Sequence, residues 1–502
     1  MIRLELQFNK SLCSCLKTLV RQVQNQEQTQ ELRLPDGLPD IGSILGAWGQ
    51  VILRSKEWHT GSMHISGGVM AWVLYMPEED TVPQCVETWI PFQMKWEFPD
   101  SDRDGVMQTQ CLLRSMDART TSARKIMVRA GIGALSQAFV KDEFEQYSPP
   151  ELSEDVQLLW KKYPVCMPKE AGEKAFVLEE ELTLPASCPK IQKILRYSLY
   201  PEIVEEKVVS GRLAFRGAAK LHLLYCGEDG GICSWDFEIP FSQYTELDDT
   251  YEEGATAEMI PAVTGLEIDI GEEGLVTMKA GLAAQYVVYD CMILECVEDA
   301  YSTANEVTPI MKTLEIPVIL DRRKESLYPE AVVEDIGGRI MDTVFYPDHP
   351  RVTKEDGDVS GEFPGVFGML YYDDTGKLQG ASARWEGNWE LPADDNVKVQ
   401  MRIHSMGEPQ GTFTGGKASL RCDMESQAES IMQKGIDTVC GLSVGEAREK
   451  KQDAPSLIVR RMGEDSLWDI AKDVGSTVET IQKVNKLTAE PTPQQMLLIP
   501  VL

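Results

Sequence analysis

Several short stretches have the residue types and spacing of catalytic motifs. Gly441-Leu442-Ser443-Val444-Gly445 matches the GxSxG elbow, in which a strained strand-to-helix turn exposes a serine nucleophile, and it follows the run from Ile436 to Cys440. That chemistry needs a histidine base after the serine, yet His59, His64, His222, His349 and His404 all precede Ser443. Residues 411–418, GTFTGGKA, approach a phosphate-binding loop, but Ala418 stands where a Ser or Thr would hold magnesium. The flanking MRIHSM and KASLRC read as strands, so the glycines predict a hairpin turn, whereas a phosphate loop opens a helix. Gly131 and Gly133 begin a dinucleotide-like fingerprint whose third glycine is Ser136, with no βαβ alternation around it.

Metal and acid–base chemistry fare no better. His59 and His64, with Cys85 further along, suggest zinc, but residues five apart on a strand point to opposite faces, so the two are read as unrelated edge residues. Cys13/Cys15 and Cys291/Cys296 are the closest cysteine spacings, and neither has a second ligand pair nearby. The acidic runs EEDTVP, ELDDTYEEG and EDGD read as solvated loops and single out no acid/base pair. The expectation is a protein that is not an enzyme and uses no metal or cofactor.

Composition narrows the class. With 502 residues the chain is several times the size of one core, and Lys+Arg 49 against Asp+Glu 80 gives a net charge of −31, which repels nucleic acid and anionic lipid. The short basic clusters Arg322-Arg323-Lys324 and Lys450-Lys451 read as solvated linker charge. The start, MIRLELQFNKSLCSCLKTLV, lacks the pattern of an export signal and no window reaches a membrane span, so a cytoplasmic protein is expected. Twelve scattered cysteines fit thiols kept reduced in that compartment.

The elements that could position any site follow from an internal repeat. ELRLPDGLPDIGSIL (31–45) recurs as ELTLPASCPKIQKIL (181–195), pairing Leu34 with Leu184, Pro35 with Pro185, Ile41 with Ile191 and Ile44 with Ile194. The same offset of 150 carries Gly61 to Gly211, Gly67 to Gly217 and Tyr75 to Tyr225; one residue is then lost, and Ile90-Pro91-Phe92 matches Ile239-Pro240-Phe241. A diverged third copy lies at 296: Ile44 to Ile340, Leu45 to Met341, Gly61 to Gly357, Tyr75 to Tyr371 and Trp89 to Trp385. It has Glu386-Gly387-Asn388 in place of Ile-Pro-Phe, while Arg114-Ser115-Met116 and His404-Ser405-Met406 are related at an offset of 290.

Within each copy, runs such as QVILR, GGVMAWVLY and KIMVR are β-branched or aromatic and bounded by Gly, Pro, Asp and Asn. They predict antiparallel sandwich or barrel-like units, with helical pattern only around 9–29, 153–162 and parts of 424–451.

The string LPDGLPDI, then QVILRSKE and VLYMPEED, resembles the SPOCS domain of spore-coat morphogenesis proteins, and ELTLPASCP, LAFRGAAKLHLLY and EIPFSQ resemble it again. Residues 456–502 resemble a LysM domain: a strand, a GDSLWxIA-type helix, a second helix ending in Asn-x-Leu, and a closing LxIP strand. The fold class expected is thus mainly β, tandem SPOCS-type repeats plus a small βααβ LysM domain. The organisation is an N-terminal extension 1–30, repeats at 31–146, 174–319 and 320–447 with a linker at 147–173, a second linker at 448–455, and the LysM at 456–502.

SPOCS repeats followed by LysM resemble the SipL-like family. The resemblance implies a non-enzymatic scaffold on the mother-cell side of the developing spore that recruits a SpoIVA-like coat ATPase. The alternative is a protein binding peptidoglycan or another N-acetylglucosamine glycan, with the repeats as spacer or adhesive domains.

In the LysM, Asp465 and Ser466 can cap the first helix, packed by Leu467, Trp468, Ile470 and Ala471. Thr477 can cap the second, with Val478, Ile481 and Val484 facing the core. By resemblance the ligand groove lies between Gly463, Glu464, Asp465, Ser466 and Leu467 on one side and Asn485, Lys486, Leu487 and Thr488 on the other. Glu464 and Gln494 depart from the family pattern, each standing where glycine is usual.

Overall fold

The computed structural model describes residues 4–78, 82–98, 103–271, 275–355, 357–448, 456–489 and 491–501. A short strand, β1 (Leu4–Gln7), precedes three units built on one plan. In the first, a long strand β2 (Asn9–Arg33) leads into the meander β3 (Ile41–His59), β4 (Ser62–Pro77) and β5 (Gln84–Glu97), followed by β6 (Gly105–Ser122) and β7 (Lys125–Ser148). The meander pairs in the order β3-β4-β5, and the chain closes on itself because β2 pairs with β7, which also pairs with β6. The two sheets pack face to face over a core that holds Trp48, Val73 and Tyr75 from one and Met107, Ile126 and Ala134 from the other.

The second unit repeats this with β8 (Val156–Leu182), β9 (Ile191–Val209), β10 (Arg212–Gly227), β11 (Ile232–Glu246), β12 (Thr256–Ile270) and β13 (Val276–Ser302), in the orders β9-β10-β11 and β8-β13-β12. The third opens with β14 (Asn305–Leu327) and β15 (Glu330–Glu334). Its meander is β16 (Arg339–Pro347), β17 (Arg351–Glu355), β18 (Asp358–Tyr372) and β19 (Leu378–Pro392), and its closing strands are β20 (Lys398–Met406), β21 (Gln410–Thr414), β22 (Lys417–Arg421) and β23 (Met424–Ala447). Here the closing sheet is broken into two, β15-β22-β21 and β14-β23-β20, each with the same first-last-fifth order, and β1 adds to β23.

The register bears the repeat out at single residues. Ile44 faces Tyr75, Ile194 faces Tyr225 and Ile340 faces Tyr371. The matched glycines Gly61, Gly211 and Gly357 all take positive φ (71°, 79° and 90°) at the turn into the middle meander strand, a conformation that costs a side chain strain. Gly67 lies opposite Phe92 and Gly217 opposite Phe241; a Cβ on Gly217 would sit 1.9 Å from the Glu202 carbonyl oxygen and 2.8 Å from the Phe241 ring. In the third unit the pair is exchanged between strands, with Phe363 opposite Gly387, which accounts for the loss of Ile-Pro-Phe there.

The helical pattern expected at 9–29, 153–162 and 424–451 is overturned. Described residues in those stretches lie chiefly in β2, β8 and β23. Their Gln, Glu, Leu and Lys residues favour helix locally, but pairing along almost their full length with a buried partner overrides propensity. Residues 9–30 and 156–173, read as extension and linker, are accordingly the first strands of their units. The cysteines differ too: Cys166 and Cys291 are direct register partners on β8 and β13 and form a disulfide, with ten cysteines left free. Their 125-residue separation hid the pairing from sequence inspection.

The units share cores. Leu195 and Leu224 of the second unit and Val344 and Leu370 of the third join the first unit's cluster. Another cluster draws on strands of all three, with Cys15 and Phe144, Val165 and Leu294, and Leu314 and Ile436. Polar seams run between units as well. Arg196 donates to Asp342 at 2.7 and 2.8 Å, and Gln285 exchanges 2.8 Å hydrogen bonds with the Thr109 backbone.

A third polar seam, made of buried charges, joins the second and third units. Arg402 donates to Glu258 at 2.5 Å, and Arg322 donates to Glu429 at 2.7 Å. Burial and the neighbouring Glu258 charge push the Glu429 carboxyl above its ordinary 4.5. Burial also opposes ionisation of Glu258, but the Arg402 and Arg322 guanidiniums prevail and hold it below that value.

The folded state therefore retains a Glu429 proton that the unfolded chain releases as pH rises above 4.5, so this group's contribution falls with rising pH. Replacing Glu429 with Gln removes the penalty. Relative to wild type, the variant should gain about 1–3 kcal/mol in stability between pH 4.5 and pH 8 in urea unfolding. An equal difference at both pH values would refute the assignment.

Candidate functional site

The C-terminal module is built from β24 (Leu457–Arg461), α1 (Leu467–Val474), α2 (Val478–Asn485) and β25 (Met496–Pro500). Each helix has eight residues, too few to be stable alone, and relies on caps and a shared core. Ser466 caps α1 and forms a reciprocal box with Asp469, whose carboxylate accepts from the Ser466 backbone N–H. Thr477 caps α2 by accepting from the Thr480 N–H at 3.1 Å. Asp465 instead takes a 2.6 Å bond from Arg460. Leu467, Ile470, Ala471, Ile481, Leu497 and Ile499 make the core, while Val484, expected inside, is 43% exposed.

The expected groove residues divide by role. Gly463, Glu464, Asp465 and Ser466 are exposed in the loop before α1, and Lys486 and Thr488 are exposed in the loop after α2. Leu467 is buried and Leu487 half-buried against the module's core, so both hold the loops rather than offer contacts. Asn485 is committed to the fold: its Nδ2 donates to the Ile481 and Leu498 carbonyls at 2.8 and 2.6 Å, and its Oδ1 accepts from the Leu498 N–H at 2.8 Å. This clamp of α2 to β25 leaves little of the amide for a ligand.

One of the two departures from the family pattern is visible in the backbone. Gln494 has φ of +74°, the left-handed conformation glycine would adopt freely, and its N–H donates to the Met462 carbonyl at 2.9 Å. Glu464 adds an exposed carboxylate to the rim of the loop before α1.

Sequence inspection had no means of finding what the module rests on. The Trp468 indole N–H donates to Asp299 at 2.8 Å, Lys472 donates to both Asp299 oxygens at 2.8 and 2.6 Å, and Tyr301 donates to the Ser476 carbonyl at 2.9 Å. The Tyr301 and Trp468 rings meet edge to face, with centroids 4.7 Å apart. Asp299 and Tyr301 lie near the end of β13, so the module docks on the second unit through α1 and the turn after it. None of the docking residues belongs to the expected groove.

The remaining motifs resolve into fold. Ser443 lies inside β23, opposite Glu5 and Thr308, with no elbow. Gly415 and Gly416, both with positive φ, are the turn between β21 and β22. Gly131 and Gly133 lie in β7, flanked by strands on both sides. His59 and His64, expected to be unrelated, meet across the β3–β4 turn with ring centroids 4.8 Å apart, because the hairpin folds them together. Among the described residues, no group of three or more His, Cys, Asp or Glu side chains could hold a metal ion. No described helix is long and apolar enough to cross a membrane.

Two family models match the chain. One, described as SipL, SPOCS domain, covers residues 190–270, which are the second unit's meander and β12. The other, the LysM domain, covers residues 464–500. No curated protein and no solved structure matches. The chain thus combines a SPOCS domain with a C-terminal LysM domain in a mainly β architecture, and both domains are of binding or scaffold type.

Two consequences are measurable. Gln494→Gly should stabilise the LysM by about 1 kcal/mol by relieving the left-handed strain, read as slower hydrogen exchange in α1 and α2; unchanged or faster exchange would contradict this. Asp299→Ala should cost the docking about 1–2 kcal/mol, discounted for its partial exposure, and selectively raise exchange at Tyr301 and Ser476. Uniform protection across the docking face would rule out that role for Asp299.

Proposed function

We propose that this chain is a non-enzymatic scaffold of spore coat or envelope assembly, in which the LysM and the SPOCS-type units together recruit a protein partner, a SpoIVA-like coat ATPase. The observation that carries the reading is the docking of the LysM. Anchored to the second unit through Asp299 and Tyr301, it leaves the loops around Glu464 and Lys486 exposed on a fixed support. Units that share cores act as one platform, so a partner touching both the platform and the LysM gains from linkage. The family descriptions support the sporulation setting, and the commitment of Asn485 to the fold weakens the case for a glycan in this groove.

A second reading rests on the same exposed loops. The groove expected between them would take a peptidoglycan or N-acetylglucosamine glycan, with the units as spacer or adhesive domains.

The two separate in one binding comparison. Wild type, a Glu464→Arg/Thr488→Glu variant and a chain ending before residue 456 are titrated with a purified SpoIVA-like ATPase and with N-acetylglucosamine oligomers. The scaffold reading expects saturable ATPase binding that weakens at least ~tenfold in the loop variant and is lost on truncation, with any glycan binding indifferent to those loops. Glycan binding that fails with the loop variant, together with no response to the ATPase, would replace it with the carbohydrate reading.

A further inference from the structure

The first unit has a groove that the other two units have filled. It runs between β2 and β5, has a volume of about 1030 Å³, and is lined among others by Gln26, Gln28, Arg54, Trp89, Phe92 and Gln93. Strand register gives the equivalents of its glutamines. Gln26 lies opposite Ile132, Phe176 opposite Leu282, and Leu327 opposite Met424, three matching positions of the first and last strands of each unit. Gln28, opposite Ala130, corresponds to Leu178, opposite Ala280.

In the second unit Phe176 fills the space, with its ring 5.3 Å from Phe241 and 6.1 Å from Phe215, and Leu178 packs on the same core. In the third, Leu327 is buried in the unit's core cluster. The first unit keeps Phe92, the match of Phe241, yet offers amides where the others supply apolar plugs. Gln26 Oε1 is buried without a hydrogen-bond partner, so its amide does not complete the fold's own hydrogen bonding as a structural glutamine would.

The lining indicates the kind of ligand. In a chain of net charge −31, no carboxylate borders the groove among the described residues, and Arg54 is the one charged residue among those lining it. Three glutamines and Ser66 supply neutral donors and acceptors beside the Trp89 indole and the Met70 and Phe92 side chains. A peptide strand adding to the edge of β5 would find no N–H at Pro91, which sits on that edge. We infer that the β2–β5 groove of the first unit is a binding site for a neutral carbohydrate, a ligand that presents hydroxyl or acetamido groups to the glutamines and its C–H faces to the apolar side chains. The site is separate from the LysM loops and does not rest on their function.

The test uses the full chain and isothermal titration with the hexasaccharides of glucose and of N-acetylglucosamine. A capped neutral octapeptide of Ser, Thr and Val serves as the competing class. Gln26→Phe/Gln28→Leu copies the second unit's filling, and should keep or raise the melting temperature while weakening binding of at least one hexasaccharide ~tenfold or more. Both proteins are also titrated in the Glu464→Arg/Thr488→Glu background, so that loss of binding on filling the groove is read apart from any binding at the LysM loops. Should the filled variant not fold, Gln28→Ala/Gln93→Ala, which leaves the groove open, must show the same loss. Absence of binding to either hexasaccharide, binding that survives filling of the groove, or binding of the octapeptide alone would each overturn the inference.

Discussion

The return of each unit's first strand to pair with its last is the constraint on which the rest of the structure depends. β2 on β7, β8 on β13 and β14 on β23 make the last strand a central one, paired on both edges. Where neighbouring units also cover its outer face such a strand is buried on both sides, which fits the Ala, Gly and Val content of β7 and β13 and the unbroken burial of residues 130–136. Because the closing pairs are long, their ends extend beyond the unit's own sandwich. There they build the cluster of Phe144, Leu294 and Ile436, and the end of β13 becomes the seat of the LysM.

Burying charge between units follows from that arrangement. Arg196 and Asp342 are each almost fully buried, as are Arg402 and Glu258, so neither partner could stay ionised there alone. Such pairs contribute modestly to net stability but penalise any other docking of the units, since a slipped interface leaves a buried charge unmatched. The apolar parts of the seams, Trp72 against Tyr197 among them, tolerate more variation in angle. Polar matching therefore fixes how three similar sandwiches sit together, while apolar burial holds them there.

What was legible in the sequence is what is local. The turn glycines Gly61, Gly211 and Gly357 and the facing Ile–Tyr pairs lie within one hairpin, where a repeat offset carries geometry directly. The helix caps Ser466 and Thr477 were likewise readable because a cap is decided within a few residues. What stayed hidden is non-local. The closing strands carry helix-favouring residues and are made strands by partners far along the chain, and the same kind of distance hid the Cys166–Cys291 bond. The docking of Trp468 on Asp299 joins two domains across 169 positions and leaves no periodic trace. Asn485 shows the converse, a residue that looks like a groove contact in a motif and is held by backbone partners in space.

Repetition also gives a means of separating function from fold that a single domain lacks. Where three copies agree, as at the turn glycines, the shared backbone geometry is sufficient reason for the residue. Where one copy departs and a neighbour compensates, as with Phe363 and Gly387, the departure is still a packing solution. Gln26 fits neither case: it departs from Phe176 and Leu327, and the groove beside it stays open. A fold under selection only for stability would refill such a position, since an apolar side chain there is demonstrably compatible with the same strand pairing. The unequal copies thus place the demand for a ligand in the first unit, whereas the second unit's β13 carries the LysM, so one platform presents two different surfaces from one repeated design.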